Sequence, residues 1–167
     1  LSHSSAASDV YKRQVLKSEI NDPTQQFNLG NPETVNCPNG QLELDDGIWQ
    51  LKPHKKDEYR TTQIPVVYDN AATAPKFLQF MSEIFCSDPD KDDKVECILQ
   101  MMGYTLMSHS QREKFIMLIG NGANGKSVFL AVLEAVCGTE NIAGVQPSQF
   151  DRTFQRAELH NRLATVS

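Results

Sequence analysis

The sequence predicts an α/β fold in which a small β-plus-helical module precedes the first part of a parallel-sheet, phosphate-loop domain. Three observations predict it. Residues 115–119, FIMLI, form an unbroken apolar run that stops at Gly120, the pattern of a parallel strand buried on both faces. Residues 120–127, GNGANGKS, match the spacing G-x-x-x-x-G-K-[ST] and lead straight into an apolar helical stretch, with Gly138 where a left-handed C-terminal cap is expected. Upstream, short apolar runs broken by turn dipeptides give way to two stripes at helical spacing.

The loop spacing has a physical reason. Wrapping a phosphate with backbone N–H groups requires close backbone approach, and Gly120, Gly122 and Gly125 remove the side chains that would block it. The following helix adds the positive end of its dipole. Lys126 is expected to reach the β- and γ-phosphates and the Ser127 hydroxyl to ligate Mg²⁺, so these two are the candidate catalytic residues and Ser127 the candidate metal ligand. Gly120, Asn121, Gly122, Ala123, Asn124, Gly125, Lys126 and Ser127 together are the candidate nucleotide-binding residues. Chance would produce the bare pattern on the order of once in a few hundred chains of this length.

Size and charge bound the rest. Only about 50 residues follow the start of the 115–119 run, too few for a doubly wound domain, and the chain of 167 residues begins with Leu1. A piece of a longer protein is expected, divided into a tail or linker over 1–33, a β-hairpin plus helical-hairpin module over 34–110, and an incomplete ATPase core over 111–167. With 21 acidic and 16 basic residues the net charge is −5, which excludes the global basic field of a dedicated nucleic-acid-binding domain. Cys37, Cys86, Cys97 and Cys137 form no C-x-x-C pair and read as reduced thiols of a cytoplasmic protein. No apolar stretch of membrane-spanning length and no signal peptide is evident.

In chain order, residues 1–14 are Ser- and Ala-rich without periodicity and resemble translated adapter sequence or a disordered tail. Asn39-Gly40 and Asp46-Gly47 are hairpin signals within 34–54, predicting two or three antiparallel strands. The charged stretch 52–60 reads as a solvated loop of mixed charge in preference to a nucleic-acid contact. Residues 61–68, TTQIPVVY, predict another strand, weakened by Pro65. Thr73 is expected to cap a helix with Pro75 in its first turn and Phe77, Phe80, Met81 and Ile84 on one face. A second helix is expected over 93–107 with Val95, Ile98, Leu99, Met102 and Leu106 facing it. Between them Asp88, Asp90 and Asp92 start a calcium-like spacing, but Asp93 replaces the required glycine and Leu99 the twelfth-position ligand, so calcium binding is rejected. His109 is expected on the surface. Beyond the loop, a short strand over 141–145, a polar helix capped by Ser148, and the start of a further buried strand over 162–166 complete the reading.

Taken as an ordered series, NCPNGQLEL (36–44), TTQIPVVYD (61–69), MMGYTLMSHSQREKF (101–115) and the loop GxGxNGKS resemble the phage and plasmid primase-helicase family. The resemblance covers roughly 36–167 and comprises a poxvirus-type primase-helicase N-terminal helical module plus the start of a superfamily 3, AAA+ ATPase core. It implies an ATP-dependent replicative DNA helicase of a phage, plasmid or mobile element, working as a homo-oligomer, a hexameric ring, with ATP and Mg²⁺ as cofactors. It further implies DNA and a primase domain or protein as partners, in the cytoplasm of a bacterial host. The family's acidic pair, asparagine sensor, arginine finger and DNA-gripping hairpin have no counterpart within the 167 residues, so hydrolysis is expected of the longer protein and not of this segment. Alternatives are another phosphate-loop NTPase, a kinase, or an inactive nucleotide-binding or oligomerisation fragment. A GTPase is disfavoured because no NKxD stretch occurs.

Overall fold

Two hairpin turns organise the first folded segment. In the computed structural model, which describes residue 24, residues 26–107, residues 109–152, residue 159 and residues 162–165, strands β1 (Thr34–Cys37), β2 (Gly40–Asp45) and β3 (Ile48–Lys52) form an antiparallel sheet in that order. Cys37 faces Gly40, leaving Pro38 and Asn39 as the first turn, and Asp45 faces Ile48 across Asp46-Gly47. Asp46 and Gly47 both take positive φ (49° and 80°), the requirement of the two-residue turn that matches strand twist. Register puts Val35, Leu42, Leu44, Trp49 and Leu51 on one face and Gln41, Glu43 and Lys52 on the other.

Residues 61–68 do not become the expected fourth strand. They run beside β1, where Ile64 N donates to Asn36 O at 2.9 Å and Asn36 Nδ2 donates to Thr62 O at 2.8 Å, and no ladder develops. The far end is pinned instead by Asn39, whose side chain exchanges hydrogen bonds with the backbone of Tyr68.

Helices α1 (Pro75–Ile84) and α2 (Lys91–Thr105) form the expected hairpin. Pro75 occupies the first turn, where its missing N–H costs nothing, and the N-cap is Ala74, without the side-chain cap expected from Thr73. α2 starts at Lys91, two residues before the predicted Asp93, with Asp92 and Asp93 complementing its dipole. The acidic loop before it is neutralised by Lys94, whose Nζ lies 2.6 Å from Asp88 and 2.9 Å from Asp90, so the would-be calcium ligands already hold a cation. His109 departs from the surface reading: its ring packs edge-on against Tyr104, and its Nδ1 accepts from Gln111 N.

Helix α3 (Lys126–Cys137) carries the core. Phe129, Leu133 and Cys137 are buried with Met81 of α1, and Phe80, Ile84, Val95, Ile98, Met102 and Leu106 pack around them. Gly138 ends α3 with φ 87° and ψ 135°, a positive φ outside the left-handed helical well that was expected. β4 (Ile142–Ala143) and β5 (Leu163–Ala164) pair in parallel, with Thr165 N continuing the ladder to Ala143 O. Both fall inside predicted strands. Of the helix expected from Ser148, a single 3-10 turn at Pro147–Gln149 is present, and residues 153–158 lie outside the described part. The tail over 1–23 lies outside it as well.

The strand predicted over 115–119 is not formed. Phe115, Met117 and Ile119 are 82, 68 and 83% exposed, and Leu118 alone reaches the core. Among the described residues no strand pairs with this run, although β4 and β5, paired with each other, each keep an outer edge. The described residues are thus mixed α/β, with a three-stranded antiparallel sheet, a two-stranded parallel sheet and three α-helices, and the broad parallel sheet of an ATPase core is not among them. Among them, too, no helix is long and apolar enough to cross a membrane.

Candidate functional site

Residues 120–127 form a continuous loop ending on α3. Gly125 is the helix N-cap in a left-handed conformation, φ 81° and ψ −3°, and its carbonyl accepts the first helical bond from Phe129 N at 2.9 Å. Gly122 (φ 98°) and Ala123 (φ 46°) are also on the positive side, so three of four consecutive residues curl against the usual hand. Ala123 carries the associated strain, of order 1–3 kcal/mol, as loops at functional sites often do.

The loop closes around the Lys126 ammonium. Nζ donates to Gly120 O at 3.1 Å and to Asn124 Oδ1 at 2.5 Å, joining the first and last parts of the loop through one cation. Asn124 lies so close over Gly120 that a Cβ there would sit 1.7 Å from Asn124 Nδ2. A side chain at 120 would have to displace the Asn124 amide and the Lys126 ammonium from their present places. Ser127 is exposed in the first turn of α3, and Asn121, Gly122, Ala123 and Asn124 are exposed as well. All eight candidate residues are thus brought into one solvent-facing loop at a helix N-terminus.

Spacing alone did not reveal what stands behind the loop. A Cβ on Gly125 would meet Phe80 Cζ and Ile84 Cγ2 at 2.9 Å each, so the last turn of α1 lies directly against the N-cap. Both residues were read as core stripe. Helical periodicity tells which face is apolar and nothing about what abuts the end of that face.

The charged stretch 52–60 is engaged with its own module. Glu58 and Arg60, with side chains 9 and 6% exposed, pair at 2.7 Å, and Gln41 Nε2 donates to the same carboxylate at 3.2 Å. Burial pushes the Glu58 carboxyl upward, but the Arg60, Lys55 and Gln41 hydrogen bonds outweigh it and hold it below the ordinary range. Lys55 bonds Glu43 and draws its carboxyl down, with Lys52 helping. Lys52, Lys55 and Arg60 therefore spend their charge on Glu43, Asp45 and Glu58. Burial raises the Cys37 and Cys137 thiols, which keeps them protonated. Among the described residues no group of three or more His, Cys, Asp or Glu could hold a metal ion.

The upstream module now has a counterpart among known families. Residues 6–86 match the family described as D5 N terminal like. This match spans the antiparallel sheet and α1 and stops before the loop 120–127, and it is consistent with the primase-helicase relationship that the ordered motifs implied. That association supports a replication-related role at the level of the family, whose full-length members are enzymes. No match was found among curated proteins.

Proposed function

We propose that the chain is the part of an ATP-dependent replicative DNA helicase of primase-helicase type that joins the N-terminal module to the nucleotide site. The observation that carries the reading is the loop 120–127, closed around Lys126 at the start of a twelve-residue helix, directly after a D5-like module. The residues fit a triphosphate: a loop of left-handed residues, a cation held at its centre, and a helix N-terminus behind it.

In this reading Lys126 exchanges Gly120 O and Asn124 Oδ1 for phosphate oxygens. Gly120 to Gly125 supply the backbone cradle, and Ser127 is the residue to hold Mg²⁺. The metal, when bound, neutralises charge developing between the β- and γ-phosphates. What the chain contributes is positioning and electrostatic stabilisation, while water activation falls to acids outside these residues. A superfamily 3 AAA+ core, hexameric assembly, DNA and a primase as partners, and a bacterial cytoplasmic setting belong to the same proposal.

Titration of the chain with a fluorescent ATP analogue and Mg²⁺, with and without Lys126→Ala, tests it. A loss of two charge-assisted hydrogen bonds, about 1.5–3 kcal/mol each, predicts weakening by at least about a hundredfold. In the complete protein the same substitution should abolish hydrolysis. Equal binding by both proteins would refute the assignment.

A further inference from the structure

Met81 faces the core of α1, yet Phe80 and Ile84, four residues apart and so on one side of the helix, turn toward Gly125. Gly125 is the N-cap of α3, where the left-handed turn is converted into helix. Its Cα region has no spare room: any β-carbon would lie within 3 Å of the Phe80 ring edge and the Ile84 branch methyl. Phe80 also packs on Phe77, with ring centroids 6.3 Å apart, which limits its freedom to swing aside. Both residues are half-buried at the edge of the shared core, not at its centre.

We propose that Phe80 and Ile84 are positioning residues of the phosphate loop, a brace by which the upstream module fixes the left-handed turn at Gly125 and thereby the placement of Lys126. A residue with φ of 81° in an otherwise exposed loop is free to flip unless something stands behind it, and here the support comes from a helix some forty residues upstream. The brace gives the D5-like module a role in nucleotide recognition, because α1 lies inside the family match and its last turn touches the loop. Its purpose rests on the nucleotide-binding reading. Its existence does not.

The test uses amide hydrogen exchange on the 167-residue chain. Phe80→Leu removes the ring atoms that reach Gly125 while keeping an apolar residue in the core. The amide of Phe129, which donates to Gly125 O across the turn, should then exchange at least tenfold faster, with those of α2 changed less than twofold. Ile98→Val, which perturbs the same core from α2, should not single out the Phe129 amide. Should Phe80→Leu fail to fold, Ile84→Ala serves in its place. Unchanged Phe129 exchange, a rise spread evenly over the chain, or the same Phe129 effect in Ile98→Val would each overturn the brace. Titration with a fluorescent ATP analogue and Mg²⁺ supplies the second readout: Phe80→Leu should bind about tenfold more weakly and Phe80→Met should recover most of the loss. If the unsubstituted chain does not bind the analogue, the nucleotide reading fails, and the exchange pattern still decides the brace.

Discussion

Replacing Glu58 by alanine isolates the energetics of the D5-like module. The carboxylate accepts from Arg60 Nε at 2.8 Å, from Arg60 Nη2 at 2.7 Å and from Gln41 Nε2 at 3.2 Å, and Lys55 lies 3.3 Å away. Alanine leaves the Arg60 guanidinium buried without its counter-charge, and Arg60 Nη1 already lacks a partner. Breaking one side of a buried pair costs about 3–5 kcal/mol, against a total stability of about 5–15 kcal/mol for a domain. Trp49, the single tryptophan, lies on β3 of the same sheet, so its fluorescence reports unfolding of this module during urea titration. With a slope of about 1–3 kcal/mol/M, the midpoint should fall by at least 1 M. A loss below about 1 kcal/mol, the value of an exposed pair, would refute the claim that this pair is sequestered. The pH dependence has a definite sign. Because the folded-state carboxyl lies below its ordinary value of 4.5, its contribution is fully present above that value and is lost as pH falls through the lowered one. Glu58→Gln should therefore show a shallower loss of stability below about pH 4.5 than the parent chain.

Three further substitutions address the core, the turn and the loop. Phe129→Ala empties the centre of the α1–α2–α3 core and should cost about 3–5 kcal/mol in denaturant unfolding followed by far-UV circular dichroism. Gly47→Ala meets no atom within 4 Å, so its cost should be the left-handed backbone penalty alone, about 1–2 kcal/mol, read from Trp49 fluorescence. Lys126→Ala, whose ammonium bonds only loop acceptors near solvent, should leave the thermal midpoint within about 2 °C while weakening nucleotide binding.

What was legible in the sequence was whatever depends on neighbours a few residues away. Asp46-Gly47 announces its turn because only such residues tolerate positive φ, and the stripes Phe77 to Ile84 and Val95 to Leu106 announce helices because their period is local. Gly120, Gly122 and Gly125 likewise mark the loop by spacing. The misreadings all depend on partners distant in the chain. The run 115–119 has the composition of a buried strand, but hydrogen bonding to another strand is what makes one, and composition carries no such information. Residues 61–68 have strand-forming side chains, but beside β1 they make one backbone hydrogen bond, Ile64 N to Asn36 O, and no ladder. The charged stretch 52–60 was read as a solvated loop, and residues 53–57 and Tyr59 are exposed, but Glu58 and the Arg60 side chain are buried beside Gln41 of β2. Of the candidate site, the eight loop residues were legible and their support from α1 was not.

The arrangement of the core bears on why such a module precedes the loop at all. Met81 has no exposed surface, and its burial, about 1.5–3 kcal/mol, comes from packing with Phe129 and Leu133 of the loop's own helix. The β-module is tied to the other end of that helix: Asn141 Nδ2 donates both to Gln63 O and to Cys137 O, and a Cβ on Gly138 would meet Pro65 at 2.8 Å. α3 is therefore held at its N-terminus by Phe80 and Ile84 and at its C-terminus by residues 63–65. A helix fixed at both ends moves only with what holds it, so under the proposed nucleotide reading a change at Lys126 would have two mechanical outlets, α1 and the strand-like segment beside β1. Neither would exist if the upstream residues were a tethered, independent domain.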